Sequence, residues 1–165
     1  MFVTEGQIKV NIVMSSFIGD YLCKIDSKGR ALLPAAFKKH MPVTAGDRFV
    51  IKKDIYENCL ILYTQDEWEK QNALLRSRLN PYNKDHSQLL RAYYRGTAEV
   101  SLDASNRLLL PKRLLDLAGI GKEVYMSGQD KKIEIWAKEV YETNGIDEDK
   151  FASLAENILG GLNPS

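Results

Sequence analysis

Two nine-residue segments hold the side chains best suited to chemistry in this chain of 165 residues. Residues 26–34 read Asp-Ser-Lys-Gly-Arg-Ala-Leu-Leu-Pro, and residues 103–111 read Asp-Ala-Ser-Asn-Arg-Leu-Leu-Leu-Pro. A pair of Asp carboxylates is a set that acid–base catalysis uses, whereas an Arg matches the O6 and N7 atoms of guanine with two hydrogen bonds. The doubled frame therefore indicates either a carboxylate dyad or a nucleic-acid contact.

Both segments are predicted to form tight turns. Gly29 adopts positive φ without a Cβ clash, and Asn106, at the same place in the second segment, is one of the few other residues that tolerate it. Asp26 and Asp103 have side chains that hydrogen-bond to backbone N–H groups one or two residues further on. We expect these four residues to structure two equivalent turns, each followed by an Arg.

The repeat extends well beyond the two turns. Phe17-Ile18-Gly19 matches Tyr94-Arg95-Gly96 at an offset of 77, and Leu60-Ile61-Leu62-Tyr63 matches Ile133-Glu134-Ile135-Trp136 at an offset of 73. The offset decreases between these matches because length changes collect in loops. The sequence predicts two copies of one small unit, packed face to face as a pseudo-twofold pair.

The elements around the turns are predicted to be mostly short strands. Strands at 21–25 and 30–33 flank the first turn and should form a hairpin, after which Pro34 begins a helix that extends to Met41. Further strands are expected at 48–53 and 59–63. The second copy repeats this order and ends with strands at 123–126 and 132–136.

Helices are predicted between the copies and near the C-terminus. Thr64 and Glu67 form a capping box that opens a helix to about residue 79, and a second helix opens at Asn83 or Asp85 and ends before Gly96. A last helix over 148–159 is expected to pack on the body of the protein, because its apolar residues share one face. These apolar residues are Phe151, Leu154, Ala155 and Ile158. The predicted fold class is α+β.

The composition excludes several classes of protein. No apolar run approaches the ~18–20 residues of a membrane span, and no secretory leader is predicted at the N-terminus. Cys23 and Cys59 are too few for a disulfide framework, so we expect a reducing cytosol and two thiols that act as small apolar residues. His40 and His86 are isolated, so the sequence predicts no metal site and no cofactor.

Charge separates the two copies, although the net charge of the chain is only +1. Residues 20–40 carry a local charge of +3, whereas the equivalent residues 97–117 are neutral and residues 141–165 carry −4. Two-stranded ribbons fit the major groove of DNA, and side chains on a following helix can hold phosphates. The candidate DNA contacts of the first copy are Arg30, Lys28, Lys24, Lys38 and Lys39.

These motifs resemble those of the MraZ family, which is built from two SpoVT/AbrB-type modules. The residues that carry the resemblance, besides the doubled turn, are Phe17-x-Gly19, Leu60-x-Leu62-Tyr63, Trp68 and the segment from Ile133 to Trp136. The resemblance covers about residues 16–142. It implies a duplicated module of the double-split β-barrel type with a helical insert. The expected divisions are an N-terminal arm at 1–15, modules at 16–64 and 93–142, the insert at 65–92, and a C-terminal helix and tail at 143–165.

The resemblance also implies a function, that of a cytoplasmic, nucleoid-associated repressor of the division and cell-wall gene cluster. Such proteins bind short G-rich direct repeats in double-stranded DNA and assemble into homo-oligomeric rings. Arg30 then becomes the leading base-reading residue, supported by Lys28 and Lys24. Asn106 departs from the Gly usual in the family, and its copy has no net positive charge, so we expect Arg107 to be a secondary or structural residue.

Two other classes of function stay open at this point. Asp26 and Asp103 could meet across the pseudo-twofold as a catalytic dyad, although each precedes a basic loop rather than lying in an apolar pocket. An oligomeric scaffold or an antitoxin-like partner protein is the second alternative, because related hairpin modules serve in such proteins. The sequence leaves open the operator, the ring size, any effector and the presence of residues 1–13 in the native protein.

Overall fold

A computed structural model describes residues 15–42 and 45–162. All but the last residue of the predicted N-terminal arm lies outside these ranges. Within these ranges eight strands form two antiparallel sheets, and the larger sheet has six strands in the order β1-β7-β8-β4-β3-β5. These strands are β1 (Phe17–Lys24), β3 (Arg48–Lys53), β4 (Leu60–Thr64), β5 (Thr97–Ser101), β7 (Glu123–Asp130) and β8 (Ile133–Ala137). Strands β2 (Arg30–Leu32) and β6 (Arg107–Leu109) form the smaller sheet.

Strand order in the large sheet follows the sequence repeat. The equivalent strands of the two copies are β1 and β5, β3 and β7, and β4 and β8. The two members of each pair lie at the same distance from the centre of the sheet, where β4 and β8 are neighbours. Ile61 pairs there with Glu134, its own equivalent at an offset of 73. In the small sheet Ala31 pairs with Leu108, its equivalent at an offset of 77. In each sheet, therefore, equivalent strands of the two copies pair at the centre, and the rest of the large sheet is arranged symmetrically around them.

The predicted hairpin at the first turn is wrong. β1 pairs along its whole length with β7 of the second copy, and β2 pairs with β6. Only an isolated bridge between Ile25 and Ala31 joins the two arms of the turn. Gly128 permits the close approach of β1 to β7, because a Cβ there would lie 2.5 Å from the carbonyl carbon of Phe17. The two copies are thus interleaved, and each completes the sheet of the other.

One apolar core lies between the two sheets. Its fully buried side chains come from both copies and from both sheets, and Phe37 of α1 (Ala35–Lys39) contacts the rings of Phe17 and Tyr21 edge to face. Leu114 of α4 (Lys112–Leu117) is buried at the equivalent place in the second copy. Cys59, the residue before Leu60, is buried outside this cluster, and burial raises the pKa of its thiol to about 12, as expected for an apolar role.

The helical insert forms with nearly the predicted bounds. Helix α2 (Gln65–Ser77) begins where the Thr64 hydroxyl accepts a hydrogen bond from the Glu67 amide at 3.3 Å, and helix α3 (Lys84–Arg95) begins at the cap Asn83. In a full capping box the Glu67 carboxylate would also accept from the Thr64 amide. Here that carboxylate accepts from the Gln71 side chain instead. Helix α2 packs on β3 and β4.

Two helices end the described chain. Helix α5 (Lys138–Thr143), which the sequence analysis did not predict, packs on β7 and β8 and stacks Tyr141 on Tyr125 at 4.6 Å. Helix α6 (Glu148–Leu159) has the predicted bounds, and a 3-10 turn (Gly160–Leu162) follows it. Its predicted packing on the body is wrong, because none of its residues is buried and Phe151 is 65% exposed.

Candidate nucleic-acid interface

The first turn is held by one carboxylate. Asp26 Oδ1 accepts hydrogen bonds from the backbone amides of Lys28 and Arg30, both at 2.9 Å. Its Oδ2 atom accepts from Arg30 Nε at 2.8 Å, and the Asp26 amide donates to the Arg30 carbonyl at 2.9 Å. Asp26 therefore closes the turn and at the same time orients the guanidinium that follows it.

The second turn repeats this geometry. Asp103 Oδ1 accepts from the amides of Ser105 at 2.8 Å and Arg107 at 2.9 Å, and Oδ2 accepts from Arg107 Nε at 3.1 Å. The residues at the left-handed position are Gly29, with φ of 88°, and Asn106, with φ of 61°. The structure confirms the backbone reason for a Gly or an Asn at this position.

The small sheet brings the two turns together. The Gly29 carbonyl accepts from the Leu110 amide at 2.8 Å, and the Asn106 carbonyl accepts from the Leu33 amide at 3.0 Å. Arg107 Nη1 lies 4.0 Å from Asp26 Oδ2, the same oxygen that accepts from Arg30 Nε. The two Arg residues thus converge on one carboxylate and belong to one surface.

This surface is the outer face of the two-stranded ribbon formed by β2 and β6. Residues opposite each other in an antiparallel pair share a face, and the pairs here are Arg30 with Leu109 and Leu32 with Arg107. Both Leu side chains are 57% exposed, whereas Ala31 and Leu108 on the inner face are buried. We name these four outer residues, Arg30, Leu32, Arg107 and Leu109, the ribbon face.

The Leu residues of the ribbon face were missed by sequence reasoning. The alternation of Arg30, buried Ala31 and Leu32 is the period-2 pattern of a half-buried strand, and it would have placed Leu32 beside Arg30. The Arg side chains are also less free than the sequence suggests. Arg30 is 31% exposed and Arg107 is 34% exposed, because each lies against its Asp.

The predicted lysine contacts differ in their surroundings. Lys28, next to the turn glycine, and Lys24, at the end of β1, are exposed, and so is Lys39. Lys38 instead donates to Asp47 Oδ1 at 3.0 Å. Lys39 is therefore the better placed of the two helix lysines to hold a phosphate, because Lys38 would first have to leave its carboxylate.

The turn carboxylates should make stability depend on pH. Hydrogen bonds, first of all from the backbone amides of Arg30 and Arg107, lower the pKa of Asp26 and of Asp103 below the ordinary value of 3.8. A carboxyl whose pKa is lower in the folded state stabilises the protein above its unfolded pKa, and this contribution is lost as pH falls through the folded pKa. We expect the double variant Asp26→Asn/Asp103→Asn to be less stable than the wild type near pH 7 and to show a smaller loss of stability near pH 2.

Urea unfolding at the two pH values measures this difference in the free energy of unfolding. Asp116→Asn is the matched control, because Asp116 forms only a long surface ion pair with Lys112 at 3.4 Å, and we expect little change from it. The same loss of stability at both pH values in the double variant would contradict the role given to the charged carboxylates.

No cluster of metal-binding side chains is present among the described residues. No three His, Cys, Asp or Glu side chains within residues 15–42 and 45–162 lie close enough together to hold a metal ion. His40 ends α1, and the Nδ1 atom of His86 in α3 accepts a hydrogen bond from the Asn80 amide at 2.8 Å. The helices of the described segments are all too short or too polar to cross a membrane.

Comparisons with known proteins give the same family that the doubled turn resembles. The family model described as "MraZ protein, putative antitoxin-like" matches residues 16–92 and 93–157. Three proteins named "Transcriptional regulator MraZ" are similar to this chain. The protein of Christiangramia forsetii is 41% identical, over 89% of this chain and 95% of its own length. The proteins of Phocaeicola vulgatus and Bacteroides fragilis are 37% and 35% identical, over 89% and 88% of this chain and 96% and 92% of their own lengths.

These relatives belong to a class of regulators and not of enzymes, so the carboxylate dyad considered from the sequence is not a catalytic site. In this structure each Asp instead holds a turn and an Arg. Both copies of the turn, and most of the chain, lie within the matched segments. This chain belongs to the MraZ family of transcriptional regulators.

Proposed function

We propose that this protein is a sequence-specific DNA-binding repressor of the division and cell-wall gene cluster, acting in the cytoplasm on the nucleoid. It binds short G-rich direct repeats through the ribbon face and assembles into a ring that displays this face once per protomer. The observation that supports this best is the convergence of Arg30 and Arg107 on Asp26 Oδ2 in one two-stranded ribbon. A ribbon of two antiparallel strands has a shape that enters the major groove.

We infer that the fold is the duplicated SpoVT/AbrB type, a double-split β-barrel. The strand order, which is symmetric about the centre of the large sheet, and the interleaving of β1 with β7 support this assignment. The modules are 16–64 and 93–142, joined by the insert at 65–92 and followed by the C-terminal segment 143–165. Because their strands are interleaved, the modules form one folding unit, and neither is expected to fold alone.

Arg30 is the proposed base-reading residue. Its Nε atom is held by Asp26, which leaves the two terminal nitrogens of the fork to meet guanine O6 and N7. Pre-orientation by Asp26 lowers the side-chain entropy that is lost on binding, since a salt bridge already limits the rotamers of the Arg. Lys28 and Lys24 lie next to the same turn and are exposed, so they support Arg30 by contacting phosphates.

Arg107 is proposed as a secondary contact. It lies on the same face as Arg30, but the residues beside it in the second turn are Ser105 and Asn106, where the first turn has Lys28 and Gly29. Phosphate contacts provide most of the affinity for DNA, so the turn without a lysine should contribute less. Of the helix residues, Lys39 is expected to contact phosphate more strongly than Lys38, which is paired with Asp47.

The proposal is tested with fluorescence anisotropy of the full-length protein on labelled duplexes. One duplex carries the G-rich direct repeats from upstream of the protein's own gene, and the other carries the same bases in scrambled order. Specific DNA-binding proteins typically bind their sites about 10³–10⁷ times more tightly than other DNA at physiological salt, and the repeat duplex should show such a preference. Equal affinity for the two duplexes would contradict sequence-specific repression.

An antitoxin-like or scaffold role is the second candidate, favoured by the words of the matched family description. An antitoxin acts through a protein partner, so this role does not require the ribbon face to discriminate between DNA sequences. Antitoxins usually add a long disordered acidic tail, whereas here the acidic segment forms the ordered helix α6. The scrambled-duplex measurement separates the two candidates, because only a repressor requires the preference.

A further inference from the structure

Helix α6 presents an apolar face that has no partner among the described residues, 15–42 and 45–162. Asp147 caps the helix by accepting from the Lys150 amide at 2.7 Å, and the residues on one side are Phe151, Leu154, Ala155 and Ile158. Phe151 is 65% and Ile158 is 69% exposed, and the only extensive contact of α6 in the described structure is with the 3-10 turn that follows it. A 12-residue helix is only marginally stable on its own, so this face requires a partner.

The helical insert carries a second uncovered apolar surface. Where α2 ends and α3 begins, an open cavity of about 300 Å³ is lined by several residues, among them Leu79, Pro81, His86 and Leu90. Helix α3 has no buried residue, and Tyr82, in the loop before it, is 95% exposed. We name the residues 76–90 around this cavity the insert tip.

The two surfaces carry opposite charges. Within 76–90 three cations stand against one carboxylate, Asp85: they are Arg76, Arg78 and Lys84. From residue 147 to 159 four carboxylates stand against one cation, Lys150: they are Asp147, Glu148, Asp149 and Glu156. Apolar surfaces that are also complementary in charge favour association with each other over association with a like copy.

We propose that the apolar face of α6 docks on the insert tip of a second copy of this chain. Two different surfaces then meet at every contact, so the interface is heterologous, and such an interface closes into a ring when its rotation permits. The proposal rests on the ring assembly of the proposed function and assigns its contact. Docking buries the Phe151 and Ile158 side chains in the neighbour's cavity and places the acidic helix beside the neighbour's cations.

Mass measurement of the full-length protein in solution tests the contact. We expect Phe151→Glu to reduce the ring to monomers in sedimentation velocity and multi-angle light scattering, because it places a charge in an apolar interface. Ser153→Glu introduces the same charge on the opposite side of α6 and should keep the wild-type mass. Leu154→Ala, which preserves helix propensity, should weaken assembly without altering the far-ultraviolet circular dichroism.

A mixing experiment tests whether the contact is heterologous. Leu90→Glu at the insert tip should also give monomers, while Gln88→Glu on the same helix should not. An equimolar mixture of Phe151→Glu and Leu90→Glu should form dimers and nothing larger, because only the tip of the first variant and the helix of the second are intact. A mixture that stays monomeric would overturn the proposal.

The outcomes separate this proposal from the ring itself. A wild-type protein that is monomeric at all concentrations would refute ring assembly and the docking contact together. A wild-type ring that keeps its mass with Phe151→Glu and with Leu90→Glu would refute the docking contact alone. Binding of a single repeat should be the same for wild type and both variants, since neither residue lies on the ribbon face.

Discussion

Replacing Arg30 with Ala should strongly weaken specific binding to a duplex that carries several repeats. Each bidentate contact between an Arg and a guanine contributes about 1–3 kcal/mol of discrimination. A ring loses one such contact at every engaged repeat, so two repeats imply a loss of about 2–6 kcal/mol, roughly 30-fold to 10⁴-fold in affinity. Anisotropy titrations at one fixed salt concentration measure this difference.

Three further variants test whether the affinity lost in Arg30→Ala is due to base reading by Arg30. Arg48→Ala removes an exposed Arg of β3 that is paired with Glu99 of β5, and it should leave DNA binding unchanged. Arg30→Lys keeps the charge but not the planar fork, so it should bind DNA with little preference for the repeats. Arg107→Ala should cost less than Arg30→Ala. A loss as large as that of Arg30→Ala would show that both turns read bases, and no loss in Arg30→Ala would remove Arg30 from the proposed interface.

The second large effect is expected from the number of repeats in the duplex. One ribbon face presents few cations, so a single repeat should bind weakly and with strong salt dependence. A second repeat is engaged by a neighbouring protomer at high effective concentration, which typically raises affinity by about 10²–10⁴. We therefore expect a steep gain from one to two repeats and further gains at three and four, each with a steeper dependence on salt.

Spacing provides the control for this gain. Inserting about half a helical turn, roughly five base pairs, between repeats turns the second site to the far side of the duplex and should remove the gain. The monomeric variant Phe151→Glu should bind one repeat normally and gain little from more of them. Equal affinity for one and four repeats would refute the ring display while leaving the role of Arg30 untouched.

Because the two turns converge, the contributions of Arg30 and Arg107 to DNA binding are expected to depend on each other. Arg107 Nη1 lies 4.0 Å from the carboxylate oxygen that orients Arg30, so loss of Arg107 would also change the field around Arg30. Part of any effect of Arg107→Ala would then arise through the position of Arg30. A double-mutant cycle between the two Arg residues measures this coupling, and additive losses would show that the two act independently.

The features determined by the sequence alone are those fixed by near neighbours along the chain. The turns at Asp26 and Asp103 depend on hydrogen bonds that span at most four residues, and the caps at Thr64 and Asn83 depend on bonds that span two or three. Because every partner lies within a few positions, residue type and spacing were enough to predict them. The doubled frame also identified the family before any contact was known.

Only the tertiary structure decided which strands pair and which surfaces are covered. A short strand such as β2 has a period-2 pattern that tells which side is buried but not which strand lies beside it. The sequence therefore predicted a local hairpin, whereas the common core is closed by pairing β1 with β7 and β2 with β6 across the two copies. In the same way, the pattern of α6 specified an apolar face but not its partner, because burial depends on contacts far away in the chain or in another copy.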